Sequence, residues 1–492
     1  MNIPPAPVAD LQKSKPFYGW IVIALATFAV AVTNGLSIGG MPVFYRSFIA
    51  EFRWSRTTIA TAGALLLVAR GLAGPLIGPL WDRYGPKRFM APGAALIGVA
   101  LAFGSLMGAP PHLYLMALIM AAGLTFAGMG PGVFLASSWF TAGRGVAMGI
   151  VITGTSLGGM IFPPISIRLI SAYGWRVAMV VYAVFAFFVF APLMYFIKNR
   201  PSEIGEAADP DESDWFLRRR ALVKSVVATA AILGALIYSP ISLFLVDRFG
   251  KWITVLIFVA LGVICLATLA KRFAARAETH DGAARTKPDP AQGVTMREAM
   301  GSLSYWALLA GSSLCYYIIF AVVQQFILHL QSPHVGFSPE GAAWAYSAVF
   351  FYSLSGKSLF GFLSDRFPKR AVNLVCCMTM CAGTLVLLGI SRANAWFFCL
   401  LFGLGYGGIT VTTRLVLAEL FGLRSLGKLL GVTMCAELVA SSGGNLLTGR
   451  LFDATGGYQT AFKAMGACSI ISVILMALLR LKAPVRSLKS IT

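Results

Sequence analysis

Gly78-Pro79-Leu80-Trp81-Asp82-Arg83-Tyr84-Gly85-Pro86-Lys87-Arg88 ends one long apolar run, and Gly361-Phe362-Leu363-Ser364-Asp365-Arg366-Phe367-Pro368-Lys369-Arg370 ends another. From Asp82 to Asp365 the offset is 283 residues, and a second pair, Gly123-Leu124 with Gly403-Leu404, repeats at 280. One offset serving two regions indicates a duplicated unit. Each copy places a short charged turn after its second apolar segment.

The segments around these turns have the length of membrane spans. The 492-residue chain is 58% hydrophobic and only 12% charged, against roughly 25% charged in soluble domains. That surface cannot cover several soluble cores, which excludes a soluble enzyme, a secreted disulfide scaffold and a DNA-binding module. Hydropathy predicts fourteen helices of bilayer-spanning length, at 18–40, 58–80, 89–107, 113–135, 145–166, 174–197, 222–246, 252–270, 303–329, 342–363, 371–390, 395–417, 429–449 and 459–480. The expected fold class is therefore all-α and polytopic. Six-helix halves occupy 17–198 and 301–482, and a central linker at 199–300 carries two extra transmembrane helices (222–246 and 252–270). Short tails at 1–16 and 483–492 flank them. The turn between the extra helices, Asp247-Arg248-Phe249-Gly250-Lys251, looks like a third copy of the motif. The helix count places it on the opposite side, and Leu243 stands where the other copies have Gly, so it is taken as a chance loop.

The net charge of +21 fits lipid as a partner and argues for no nucleic acid, because the basic residues are sorted by side. With both termini cytoplasmic, 27 of the 40 Lys and Arg fall in cytoplasmic segments and ten in outer ones, as the positive-inside rule requires. A multi-pass protein of the cell membrane is the expected location. The eight cysteines all lie in apolar runs without CxxC spacing, so they read as small buried hydrophobes, and no metal or cofactor is expected. Lys13 and Lys15 precede a long apolar run with no small-residue cleavage site, the pattern of a retained first helix.

The motif Gly-x-Leu-x-Asp-Arg-x-Gly/Pro-x-(Lys)-Arg at a helix–helix turn resembles the cytoplasmic loop motif of the major facilitator superfamily, and it stands here in both halves. Its members there are Gly78, Asp82, Arg83, Lys87 and Arg88, and Gly361, Asp365, Arg366, Lys369 and Arg370. The resemblance implies a major facilitator fold that works by alternating access. The glycines would let helices approach and the aspartates would hold a gate shut. Phe17-Tyr18-Gly19-Trp20, Trp54-Ser55-Arg56, Arg200-Pro201-Ser202-Glu203-Ile204-Gly205, His329, Gly336-Phe337-Ser338 with Ala342-Ala343, and Gly356-Lys357 are similar to the monocarboxylate-transporter-like and oxalate/formate-antiporter-like branch. The inserted helix pair departs from that branch. The fifth helix, with Gly149, Gly154, Gly158, Gly159 and Pro163-Pro164, has Thr155-Ser156-Leu157 where drug/proton antiporters resemble Pro-x-x-Gly-Gly, which weakens an efflux reading.

Charged side chains inside a membrane are costly and mark solute or proton paths. Four lie deep: Arg70, Lys357, Arg414 and Glu437, three cations against one carboxylate, a balance that suits an anion. Lys357, two turns above Asp365, is the expected principal ligand; in the resembled branch this helix carries an Arg toward a substrate carboxylate. Arg70, one turn deeper on the repeat-related helix, is either a second ligand or a structural partner. Arg414 is expected about a turn from the inner end, where it either joins the site or snorkels. Glu437 either pairs with Arg414 or Arg70 or titrates in proton coupling, and His329 is either a relay or an interfacial histidine. Asn34, Tyr316, Tyr317, Gln324 and Tyr406 are cavity liners or packed polar groups. The expected partners are a small organic anion, a proton or counter-anion, and the bilayer. The function expected is secondary transport of a monocarboxylate, with drug or metabolite export as its rival.

Overall fold

The structure, a computed structural model, describes residues 18–140, 144–204, 294–422 and 424–481. The expected extra helices at 222–246 and 252–270, their Asp247–Lys251 turn, Cys265 and the tails lie outside the described residues. Lipid cannot satisfy backbone N–H and C=O groups, so an apolar chain of this kind folds as helices. The first half contains α1 (Tyr18–Leu36), the short α2 (Tyr45–Phe52), α3 (Arg56–Tyr84), α4 (Lys87–Ser105), α5 (Pro110–Ala127), α6 (Met129–Trp139) and α7 (Arg144–Phe185). The second contains α8 (Met296–Met300), α9 (Leu303–Leu330), α10 (Pro339–Arg366), α11 (Lys369–Val386), α12 (Ala395–Phe421), α13 (Leu426–Thr455) and α14 (Gln459–Leu481). Among the described residues nine helical stretches are long and apolar enough to cross a membrane. One of them, 147–196, is broken at Gly174, where φ is 82°, into the expected fifth and sixth spans. α10 and α13, with 28 and 30 residues, are equally long but less apolar, which brings each half to six. The expected single helix at 113–135 is interrupted at Gly128, whose ψ of −145° separates α5 from α6.

The duplication extends beyond the turns. Ser55 and Ser338, again 283 apart, each open the second helix of their half, accepting from Thr58 N and Gly341 N. Gly174 and Gly456, 282 apart, both end helices with positive φ (82° and 71°), and Arg168-Leu169 and Arg450-Leu451 precede them at the same offset. Packing repeats as well. α3 against α5 and α4 against α5 in one half match α10 against α12 and α11 against α12 in the other. The halves meet through α3 with α13 and α7 with α10, two contacts related by the same pseudo-symmetry.

Both contacts are antiparallel and share one register: facing residue numbers add to 509. Ala60 faces Gly449 and Gly71 faces Leu438; Gly159 faces Phe350, Ser156 faces Ser353 and Ile152 faces Lys357. Followed toward the charged turns, the register places Gly78 opposite Gly431 and Gly149 beside Gly361. Yet no neighbouring atom lies within 4 Å of where a Cβ on Gly74, Gly78, Gly149, Gly361, Gly427 or Gly431 would sit. The halves are in contact at the far end and splayed at the motif end.

Candidate functional site

α10 is pressed onto α12 by glycine on both sides: a Cβ on Gly356 would meet the Leu404 backbone, and one on Gly407 the Ser353 and Lys357 backbone. This contact fixes where Lys357 enters the space between the halves. Its side chain is 7% exposed. The Nζ donates to Thr155 Oγ1 at 2.8 Å, Ser156 Oγ at 2.9 Å and Ile152 O at 3.5 Å, all on α7 of the other half. Every N–H of the ammonium thus has an acceptor, but among the described residues no carboxylate balances its charge. Lys357 lies at the apex of the opening, since the next interface positions toward the motif end, Gly149 and Gly361, have no neighbour.

Arg414 is not at the helix end. α12 continues to Phe421, seven residues further, so the expected boundary at 417 was short. Its Nη2 and Nη1 donate to Glu437 Oε2 and Oε1 at 2.6 and 3.3 Å, a bidentate pair between α12 and α13, and its guanidinium stacks 5.4 Å from the Tyr316 ring. The side chains are 25% and 4% exposed, so the arginine faces open space while the carboxylate is enclosed. Of the alternatives open for Glu437, pairing with Arg414 is the one present. Arg70 is half-buried on α3, and its neighbour Gly71 packs against Leu438, next to Glu437. Among the described residues Arg70 makes no hydrogen bond or ion pair. Of the three deep cations, one is neutralised, one is held by neutral acceptors and one is unpartnered.

The remaining polar residues are dispersed. Among the described residues the buried Asn34 carbonyl oxygen has no partner; it lies beside Gly39, whose backbone approaches Gly159, one turn from Ser156 toward the contacting end. Tyr406 meets Phe350 edge-on at 6.3 Å, and the Tyr317 backbone lies against Gly444. Gln324 accepts from Tyr45 OH at 2.8 Å across the halves. His329 is far from this group: its ring packs on Tyr458 and Phe462 at 5.2 and 4.8 Å, at the contacting end. In the turns, Arg83 and Arg88 lie over the Tyr84 ring at 5.3 and 5.8 Å, and Arg366 over Phe362 at 4.1 Å. Lys87 N donates to Asn199 Oδ1 at 2.9 Å, and Arg370 Nε lies 3.4 Å from Glu419 Oε1. Asp365 is exposed. The Asp82 side chain lies outside the described residues. Of the cysteines expected to be buried, Cys315, Cys376, Cys377, Cys381 and Cys399 are; Cys468 is intermediate and Cys435 is exposed, opposite Gly74 in the register where the halves have parted.

Sequence reasoning missed the ties that close the far end. Asp453 of α13 accepts from Arg56 N at 3.0 Å and Thr57 N at 2.8 Å, capping α3 from the other half. Asn445 donates to Ala60 O at 2.9 Å and accepts from Gln325 Nε2 at 3.3 Å. Thr155 and Ser156, read only as spacers between glycines, are the acceptors of Lys357. The repeated Arg-Leu…Gly pattern at offset 282 was a signal that could have drawn attention to the α13 end.

The profile of the Major Facilitator Superfamily matches residues 23–212 and 308–491, one block per half, leaving out the stretch of the expected insertion. Monocarboxylate transporter 13 of Rattus norvegicus is 23% identical over 457 residues, 92% of this chain and 86% of its own. The MFS-type transporter pytF of Aspergillus terreus is 30% identical over 238 residues, 47% of this chain and 80% of its own. Among solved structures, a bacterial homolog of the human lysosomal transporter Spinster, in an inward-facing and occupied conformation, superposes with a TM-score of 0.62 at 15% identity. The match covers 95% of this chain and 97% of that one, a likeness of fold.

Proposed function

The chain belongs to the Major Facilitator Superfamily, and from that membership we propose that it is a secondary active transporter of a small organic anion, a monocarboxylate, working by alternating access. The observation that carries the reading is charge. With Arg414 and Glu437 cancelling each other, Lys357 and Arg70 leave a positive charge that is uncompensated among the described residues, where the two halves part. A carboxylate entering a dry site needs such a charge, since burying it unpaired costs far more than a lost hydrogen bond. Lys357 and Arg70 are the proposed anion ligands, and Arg414, Asn34, Tyr316, Tyr317 and Tyr406 the proposed liners. Coupling is to a proton or to a counter-anion, with His329, and Glu437 on release from Arg414, as the proposed proton-handling groups. The two charged turns are the cytoplasmic gate, with both termini on that side of the cell membrane, and the conformation described here then faces inward.

Uptake of a radiolabelled carboxylate panel into proteoliposomes tests this, with a pH gradient or an internal carboxylate as driving force. Accumulation driven by either gradient is the expected result. A second reading, export of a drug or metabolite, is favoured by the two additional central helices expected from the sequence. Failure to move any carboxylate, together with proton-driven transport of an uncharged apolar compound, would replace the first reading with the second.

A further inference from the structure

The contacting end of the bundle holds a cavity of about 520 Å³, separate from the charged residues at the apex. The first half contributes Arg46 and Arg56; the second contributes His329, Ser332 and His334, with Phe452 and Tyr458 in the apolar wall. Among the described residues that line it there is no carboxylate. Asp453, adjacent to Phe452, uses its oxygens on Arg56 N and Thr57 N. Arg46 spends one N–H on Gln331 Oε1 at 3.2 Å. Its helix, α2, is anchored by Glu51, which accepts from Trp175 Nε1 at 2.7 Å and pairs with Arg176. Slight burial pushes the Glu51 carboxyl up, but those hydrogen bonds and the Arg176 charge outweigh it and hold the carboxyl below its ordinary range.

Three polar atoms on residues lining this cavity are buried and unsatisfied: Arg56 Nη1, His329 Nε2 and Ser332 Oγ. Buried polar atoms are almost always paired, and these three stand on residues of one cavity wall without a hydrogen-bond partner among the described residues. Two guanidinium groups beside aromatic and aliphatic walls match an oxyanion carried on an apolar body. We propose that this cavity is a second anion site, for a carboxylate or phosphate-type oxyanion on an apolar body, and that its occupant bridges the halves. Arg46 and Arg56 come from one half and His329 and Ser332 from the other, so the occupant reaches both sets only while this end is closed. By linkage it favours the conformation that is open at the motif end. The oxyanion has two possible sources, a soluble acid or an anionic lipid headgroup.

The test uses the full chain in phosphatidylcholine nanodiscs with 2-naphthoate as the probe, titrated calorimetrically in an Arg70→Gln background that weakens the central site. One equivalent should still bind. A Cβ on Gly457, a residue of the cavity wall, meets no atom within 4 Å, so Gly457→Trp should fold, and its ring should fill the cavity and abolish this binding. Arg46→Gln with Arg56→Gln should weaken binding at least tenfold. Naphthoate should also speed alkylation of Cys435, read by peptide mass spectrometry. Nanodiscs containing phosphatidylglycerol separate the sources: competition assigns the site to a lipid headgroup, and unchanged naphthoate affinity assigns it to a soluble acid. Absence of binding in the Arg70→Gln background, or binding unaffected by Gly457→Trp, overturns the second site. Neither result bears on transport through the centre, which the proteoliposome assay measures independently.

Discussion

At the scale of single residues, the chemistry turns on what Lys357 already holds. An incoming carboxylate must displace acceptors on α7, so Thr155 and Ser156 compete with it for the same three N–H groups. A net hydrogen bond is worth about 1 kcal/mol, or roughly fivefold in affinity. Ser156→Ala, and Thr155→Val with it, should therefore tighten carboxylate binding a few-fold per bond removed, seen as larger ligand-induced thermal stabilisation of purified protein. Lys357→Gln keeps length and polarity but loses the charge. Hydrogen bonds to charged groups are worth about 1.5–3 kcal/mol, so the loss in affinity should be roughly ten- to a hundredfold. Lys357→Arg should keep part of it. Full stabilisation of Lys357→Gln by a transported carboxylate would move the ligand role to Arg70. Arg70→Gln should lower affinity by a similar factor without reducing expression, because among the described residues no carboxylate is paired with Arg70. Low expression would instead mark a structural role. The deep charges were legible in the sequence because ionisable residues stand out in apolar runs. Their partners were not: Thr155 and Ser156 reach Lys357 only through a register between halves that no local pattern encodes.

At the scale of elements, the contacting end is held by caps and amides instead of ion pairs alone. The Asp453 carboxylate stands at the N-terminus of α3, where two backbone N–H groups and the helix dipole favour a negative charge. Removing a capping side chain costs about 1 kcal/mol, and here the cost falls only on the state in which the two halves touch. Asp453→Ala should therefore shift the conformational equilibrium roughly fivefold away from the motif-end-open state. Slower alkylation of Cys435 reports that shift, and an unchanged rate would assign the cap to stability of α3 alone. The start of the sixth span was read well at Gly174, where a glycine punctuates the chain, although the fifth span, expected to end at 166, runs on to that break. Boundaries were read less well where a helix continues past its apolar stretch, as α12 does beyond residue 417 to Phe421. Polar helix ends are invisible to hydropathy, and that error made Arg414 look like a residue near the surface when it is half of a deep pair.

At the scale of the whole molecule, one register describes both contacts between the halves, and its continuation states what closure of the motif end requires. Below Lys357 on one side and Leu438 on the other, the register brings glycines face to face: Gly78 opposite Gly431, and Gly149 beside Gly361. Glycine at facing positions allows helix backbones to touch, which larger residues forbid. In the present conformation these four have open space, so a leucine there costs little. In the closed conformation the same leucine would stand between two backbones. Gly78→Leu and Gly431→Leu should thus fold and bind carboxylate as the wild type does, yet turn over at least tenfold more slowly, because alternating access would stall at one end. Gly149→Leu should do the same through the symmetry-related contact. Gly407→Leu is the contrasting case: its Cβ would strike the Ser353 and Lys357 backbone within one half, so it should lower thermal stability and expression in every conformation. The check is proteoliposome uptake set beside equilibrium binding and Cys435 alkylation. Slow uptake with intact binding and fast alkylation is the expected pattern for Gly78→Leu and Gly431→Leu. Normal turnover in both would mean that the halves close along a different register from the one that joins them at the far end.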